Sequence, residues 1–268
     1  MCRRLKTWIW ILAAALVLGG VSAAVCWRLM NTSNIWQASS VGDIPAPRGF
    51  VRDTVPPQSY QAYLRALPLK PKGTPLRLFG GQVAKHQILA AAVVDHPLLN
   101  RYEQCADVIF RLRAEYLLGM GRYGELCYTD VNDSLLCFNP DTVPADSVQD
   151  YFERYITHVF NWCNTTSLFR ETLPRPFVDV RAGDILVHPA QKDENYGHAI
   201  LIADVAHSPS GRVAVLCLEG NTPAREKHIV RNTNLLRNPW FIIDSGDSQI
   251  RFIKSRFHSG QLRHYPTP

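Results

Sequence analysis

The sequence predicts an α+β domain, on three observations. Two stretches in the first part of the chain, 100–118 and 146–162, carry apolar residues at helical spacing. Four later stretches, 184–188, 198–205, 213–219 and 228–230, are short apolar runs separated by turn residues. Helices therefore come before strands rather than alternating with them, which favours an antiparallel sheet with segregated helices.

Each element has a local reason. Residues 1–30 hold Arg3, Arg4, Lys6 and Arg28 and no acid, and Trp8 to Trp27 is a run of 20 uncharged residues. Such a run spans about 30 Å as a helix, the thickness of a bilayer core. With the basic flank leading, it reads as a signal anchor or signal peptide, or as a lipoprotein signal ending at Cys26. All three place the rest of the chain outside the cytoplasm. Residues 31–58 are Pro-rich and polar and are expected to be a tether, with one domain over 59–268. Tyr60 to Ala66 is a short helix candidate, and the Gly73 and Gly80-Gly81 turns in 69–92 suggest strands around them. The 100–118 helix has Val108, Ile109, Leu112 and Tyr116 on one stripe and ends at Gly119 and Gly121. The 146–162 helix follows Pro144 and opens on Asp146.

Composition narrows the function. The chain has 268 residues, 46% hydrophobic and 19% charged, with net charge +6, of which the first 30 residues supply +4. No Lys/Arg block follows, so a nucleic-acid partner has no support. There is no nucleophile-elbow Gly-x-Ser-x-Gly, Walker loop, His-Glu-x-x-His or Ca-binding loop, and no cofactor or metal motif is expected. Of seven cysteines, five follow the N-terminal segment: Cys105, Cys127, Cys137, Cys163 and Cys217. A turn centred on Asn132 sets Cys127 opposite Cys137, either as a disulfide or as two buried thiols.

The chemistry-bearing pattern is a cysteine early on a helix and a histidine opening a strand. A helix N-terminus carries partial positive charge, which stabilises a thiolate at Cys105. Gln104 beside it offers an amide donor to an oxyanion. His198, in Gly197-His198-Ala199, sits where an imidazole reaches the sheet end. A hairpin centred on Pro209-Ser210 sets His198 opposite Asn221 and Ile200 opposite Glu219, so His198, Glu219 and Asn221 share a face. A carboxylate or amide there would orient the imidazole. Simpler readings compete. Cys105 suits a packed helix face, Asp184 a Gly-Asp turn, Arg111 and Glu115 a helix pair, and Trp240 the core.

Gln104-Cys105, Gly183-Asp184-Ile185-Leu186, Gly197-His198-Ala199 and Glu219-Gly220-Asn221 resemble, in this order, the CHAP and NlpC/P60 cysteine hydrolases. That resemblance implies a papain-like fold, an antiparallel sheet against an N-terminal helix carrying the cysteine, and catalysis by Cys105, His198 and Glu219 or Asn221, with Gln104 at the oxyanion. The Cys105–His198 separation is longer than those families show, which implies an insertion over about 138–175. Leu67-Pro68-Leu69-Lys70-Pro71, Gln104-Cys105-Ala106-Asp107, Arg111 to Leu117 and Pro223-Ala224 resemble a bacterial family known as domain of unknown function 4846.

The expectation is a membrane-tethered hydrolase, an amidase or peptidase on the periplasmic side of the inner membrane. Cell-wall peptides are its expected substrate and the membrane its partner through residues 1–30. The alternative is a non-catalytic envelope module binding wall or lipid fragments.

Overall fold

The computed structural model describes residues 38–190, 197–234 and 239–266. The expected anchor, residues 1–30, lies outside them. No helix among the described residues is long and apolar enough to cross a membrane.

The fold is mixed α and β, with four α-helices among the described residues and a large antiparallel sheet. The strands are β1 (Val51–Arg52), β2 (Ala90–Val93), β3 (Cys127–Thr129), β4 (Leu135–Cys137), β5 (Leu173–Pro174), β6 (Ile185–His188), β7 (His198–His207), β8 (Val213–Glu219), β9 (His228–Val230), β10 (Phe241–Ile243), β11 (Gln249–Arg251), β12 (Arg256–His258) and β13 (Leu262–His264). The main sheet runs β2-β9-β8-β7-β6-β13-β5. In addition, β1 pairs with the far end of β7 and β10 with the far end of β8. The helices are α1 (Tyr60–Ala66), α2 (Cys105–Gly119), α3 (Val148–Trp162) and α4 (Thr165–Glu171).

Strand alternation divides the core in two. Ala199, Leu201, Leu216 and Leu218 face the helices, packing with Val108, Leu112 and Ile156. Ile200, Ile202, Val215 and Cys217 face the other way, against Phe177, Ile250 and Phe257. The last two belong to the β11–β12 hairpin, which pairs only with itself and so packs on the sheet face by side chains.

Residues 38–58 are not a tether. Val41 and Ile44 are fully buried, Phe50 is nearly so, and β1 extends the sheet. The apolar residues are isolated between prolines, so no periodicity announces them. The helix expected from Asn100 starts at Cys105. Before it, the buried Glu103 carboxylate accepts the Leu99 N–H at 2.7 Å and holds 100–103 in a turn. The helix expected from Asp146 begins as a 3₁₀ turn, Ala145–Ser147, and becomes α at Val148. Cys127 and Cys137 face each other across the β3–β4 hairpin and form a disulfide.

The central hairpin corrects one expectation. Its turn takes one more residue than a centre at Pro209-Ser210 allows. Gly211 adopts φ +80°, and Ser208 accepts its N–H at 3.0 Å, so His207 faces Val213. A β-bulge between Ile202 and Asp204 then absorbs the extra residue, and Leu201 faces Leu218 as expected. Without that bulge Glu219 would face Leu201 and point to the helix side, away from His198. The bulge is pinned by Asp204, fully buried, whose carboxylate meets Arg52 of β1 at 2.7 Å and Arg65 of α1 at 2.6 Å.

Candidate functional site

Cys105 is the first residue of α2. Gln104 caps the helix in extended conformation, and its N–H donates to the Asp107 carboxylate at 2.8 Å. The capping bond orients the first turn, at the start of which Cys105 sits. A buried ionic network holds this end of the helix in place. Glu103 pairs with the fully buried Lys227 and with Arg111 at 2.7 Å, and Glu115 pairs with Arg111 and His96, each at 2.7 Å. Lys227 leads directly into β9, so the network ties the helix start to the sheet.

Two glycines permit the close approach. A Cβ on Gly220 would lie 2.7 Å from Val108 Cγ2 and 3.1 Å from the Gln104 carbonyl oxygen, so only glycine lets the end of β8 lie against the first turn of α2. A Cβ on Gly197 would lie 1.9 Å from Thr165 Oγ1 and 2.7 Å from the Ala190 nitrogen, which fixes the approach into His198. The Thr222 hydroxyl donates to Gln104 Oε1 at 2.7 Å and fastens the loop after β8 to the helix cap.

These contacts bring Cys105, His198 and Glu219 to one cavity of about 570 Å³, within the range of small-ligand sites. His198 Nε2 donates to Glu219 Oε2 at 3.1 Å, and Cys105 lines the same cavity as the ring. With Nε2 committed to the carboxylate, Nδ1 is the ring nitrogen left to exchange a proton. Burial opposes charge on His198, but Cys105 and Glu219 outweigh it and lift the imidazole to about 10. Burial likewise opposes charge on Glu219, but its bonds to two histidines hold it down at about 2.

The second histidine is His228, which the sequence reading missed. It is fully buried and faces Glu219 directly across the β8–β9 ladder. Its Nδ1 donates to the Glu226 carbonyl at 3.1 Å, and its Nε2 lies 3.3 Å from Glu219 Oε1. Pairing the expected 213–219 and 228–230 strands would have revealed it. His188, opposite His198 on β6, was also missed. It lines the cavity, and burial followed by the His198 charge keeps it below the ordinary histidine range.

The remaining expected residues divide. Asn221 lines the cavity, but its Oδ1 accepts the Thr222 N–H at 2.8 Å, and Glu219 is what holds the imidazole. Gln104 is not among the lining residues, and its side-chain oxygen is engaged by Thr222. Asp184 is buried and accepts the Arg181 N–H at 2.8 Å, which is the expected turn role. Arg111 and Glu115 form the expected helix pair. Trp240 is buried in the core and donates to the Pro45 carbonyl at 2.8 Å.

Two further free cysteines, Cys163 and Cys217, lie elsewhere in the core. Burial pushes Cys163 up to about 12 and Cys217 well above the ordinary thiol range, and neither lines this cavity. A second cavity of about 280 Å³, between 69–76 and β2, contains no nucleophile paired with a base. Among the described residues no group of three His, Cys, Asp or Glu side chains is arranged to hold a metal ion.

No curated protein and no solved structure matches this chain. A family model matches residues 42–141 and 137–264, covering both the Cys105 helix and the His198 and Glu219 strands. The chain therefore belongs to the family described as Domain of unknown function (4846).

Proposed function

We propose that the protein is a cysteine hydrolase that cleaves an amide or ester through a thioester on Cys105. The observation that carries this reading is the chain Cys105–His198–Glu219 at one cavity, with the sulfur at a helix N-terminus. The Cys105 sulfur attacks the carbonyl carbon, and the first-turn N–H groups of α2 face the developing oxyanion. As the C–N or C–O bond breaks, His198 passes its Nδ1 proton to the leaving group. It then takes a proton from the water that hydrolyses the thioester. Glu219 fixes the tautomer and balances the imidazolium charge, with His228 bracing its other oxygen.

The short motifs that resemble CHAP and NlpC/P60 hydrolases carry the same residue types in the same order. They favour a papain-like arrangement and cell-wall peptides as substrate. The Cys127–Cys137 disulfide suits an oxidising compartment, in keeping with export behind the 1–30 segment.

Purified wall peptides digested with the unaltered protein and with Cys105→Ala test the reading. The variant is expected to lose activity by about 10³-fold or more. Equal cleavage by both would remove Cys105 from the mechanism.

A further inference from the structure

The cavity lined by Cys105 and His198 is also lined by residues 252–256 of the β11–β12 hairpin. Residues 249–258 contain Arg251, Lys254 and Arg256 and no acid. All three cations are exposed, and among the described residues none makes a side-chain hydrogen bond or ion pair. Arg251 and Arg256 face each other across the hairpin, a like-charge pair that costs stability unless an anion sits between or beside the two.

A fourth cation lies behind the cavity wall. Arg225 is 94% buried by relative accessibility (6% exposed), yet its Nε and Nη1 have no hydrogen-bond partner. Its Nη2 reaches only the carbonyl of Thr222, a lining residue, at 3.4 Å. Lys254 and Arg225 both act on one neighbouring side chain. Exposed His86 is held below the ordinary histidine range by Lys254 first, then by desolvation, and then by Lys85 and Arg225. Among the described residues, the only acid lining the cavity is Glu219, already committed to His198 and His228.

We propose that the cavity recognises its substrate through an oxyanion, a carboxylate or a phosphate, held by Lys254 and Arg256 of the hairpin with Arg225 behind them. This rests on the reading of Cys105 as nucleophile and adds the substrate's charge to it. An anion here would neutralise like charges that have no partner among the described residues, and it would anchor the substrate in the cavity that Cys105 lines.

Alkylation of the whole protein tests the proposal without a known substrate. Cys105 is labelled with iodoacetate, an anion, and with iodoacetamide, its neutral analogue, and mapped by mass spectrometry. The ratio of the two rates is compared with that of the Lys254→Glu, Arg256→Glu double variant. At low ionic strength the variant's ratio is expected to fall roughly three- to tenfold, and added salt is expected to shrink the difference. Comparison within the hairpin separates its field from that of the His198 imidazolium, which both proteins share.

Inorganic phosphate and glutarate, each tested as a protectant against iodoacetamide, identify the oxyanion. The one that slows labelling should also raise the melting temperature of the unaltered protein but not of the double variant. An unchanged ratio, or the absence of both protection and thermal shift with both anions, overturns the proposal. A thermal shift that the double variant loses, with Cys105 inert to both alkylating agents, would instead uphold the anion site and overturn the nucleophile.

Discussion

Asp204→Ala is expected to lose about 3–5 kcal/mol of unfolding free energy, measured by urea denaturation, because it strands two guanidinium groups around a fully buried position. Arg52 and Arg65 come from β1 and α1, so the carboxylate joins β7 to two elements remote from it in sequence. The variant should also damage the site, which lies at the other end of β7. Asp204 pins the bulge that returns the ladder to the register in which His198 and Glu219 share a face. Once the bulge relaxes, the His198–Glu219 bond is strained or lost, and alkylation of Cys105 should lose its dependence on His198. Asp204→Asn keeps one acceptor oxygen for the arginines and should cost less. A loss below about 1 kcal/mol for the alanine variant would contradict this account of the bulge.

Glu219→Ala is expected to lower hydrolysis about 10³- to 10⁴-fold, the scale seen when a histidine loses its orienting carboxylate. The carboxylate binds His198 through one oxygen and approaches His228 with the other, so its removal leaves two buried imidazoles without an anion. Glu219→Gln retains an acceptor for His198 Nε2 and should lie between. Stability should follow pH with a definite sign. Glu219 is held down at about 2 against an ordinary 4.5, so its contribution is present above 4.5 and is lost as pH falls through 2. His198 is raised to about 10 against an ordinary 6.5, so its contribution is present below 6.5 and is lost as pH rises through 10. Both contributions are complete between about pH 4.5 and 6.5, and the Glu219→Ala variant should flatten the acid limb. Activity and melting temperature recorded across pH 2–10 check both statements.

Cys105 and His198 are placed by local pattern, whereas the face of Glu219 also depends on strand register. A helix cap, a Gly-His strand opening and period-two alternation each act within a few residues. The register was reached by two offsetting features, a longer turn and a bulge. Neither is visible without knowing that Asp204 is buried between two arginines from elsewhere in the chain. His228 and His188 were missed for a related reason. Their roles arise from strand neighbours, β9 beside β8 and β6 beside β7, and not from their own flanking residues. Val41, Ile44 and Phe50 gave no periodic signal among prolines and polar residues, so their segment looked like a linker although it is packed into the core. The hairpin over the cavity was beyond sequence reading, because it pairs only with itself and is placed by Ile250 and Phe257 packing on the sheet.

The account rests on a charged imidazole shared by the Cys105 sulfur and the Glu219 carboxylate. NMR titration of the His198 ring measures it directly, in the unaltered protein and in Cys105→Ala. The ring is predicted to stay protonated at pH 8 and to titrate near 10 in the unaltered protein, and to fall toward 6.5 once the sulfur is gone. Titration in the ordinary histidine range in both proteins would contradict it.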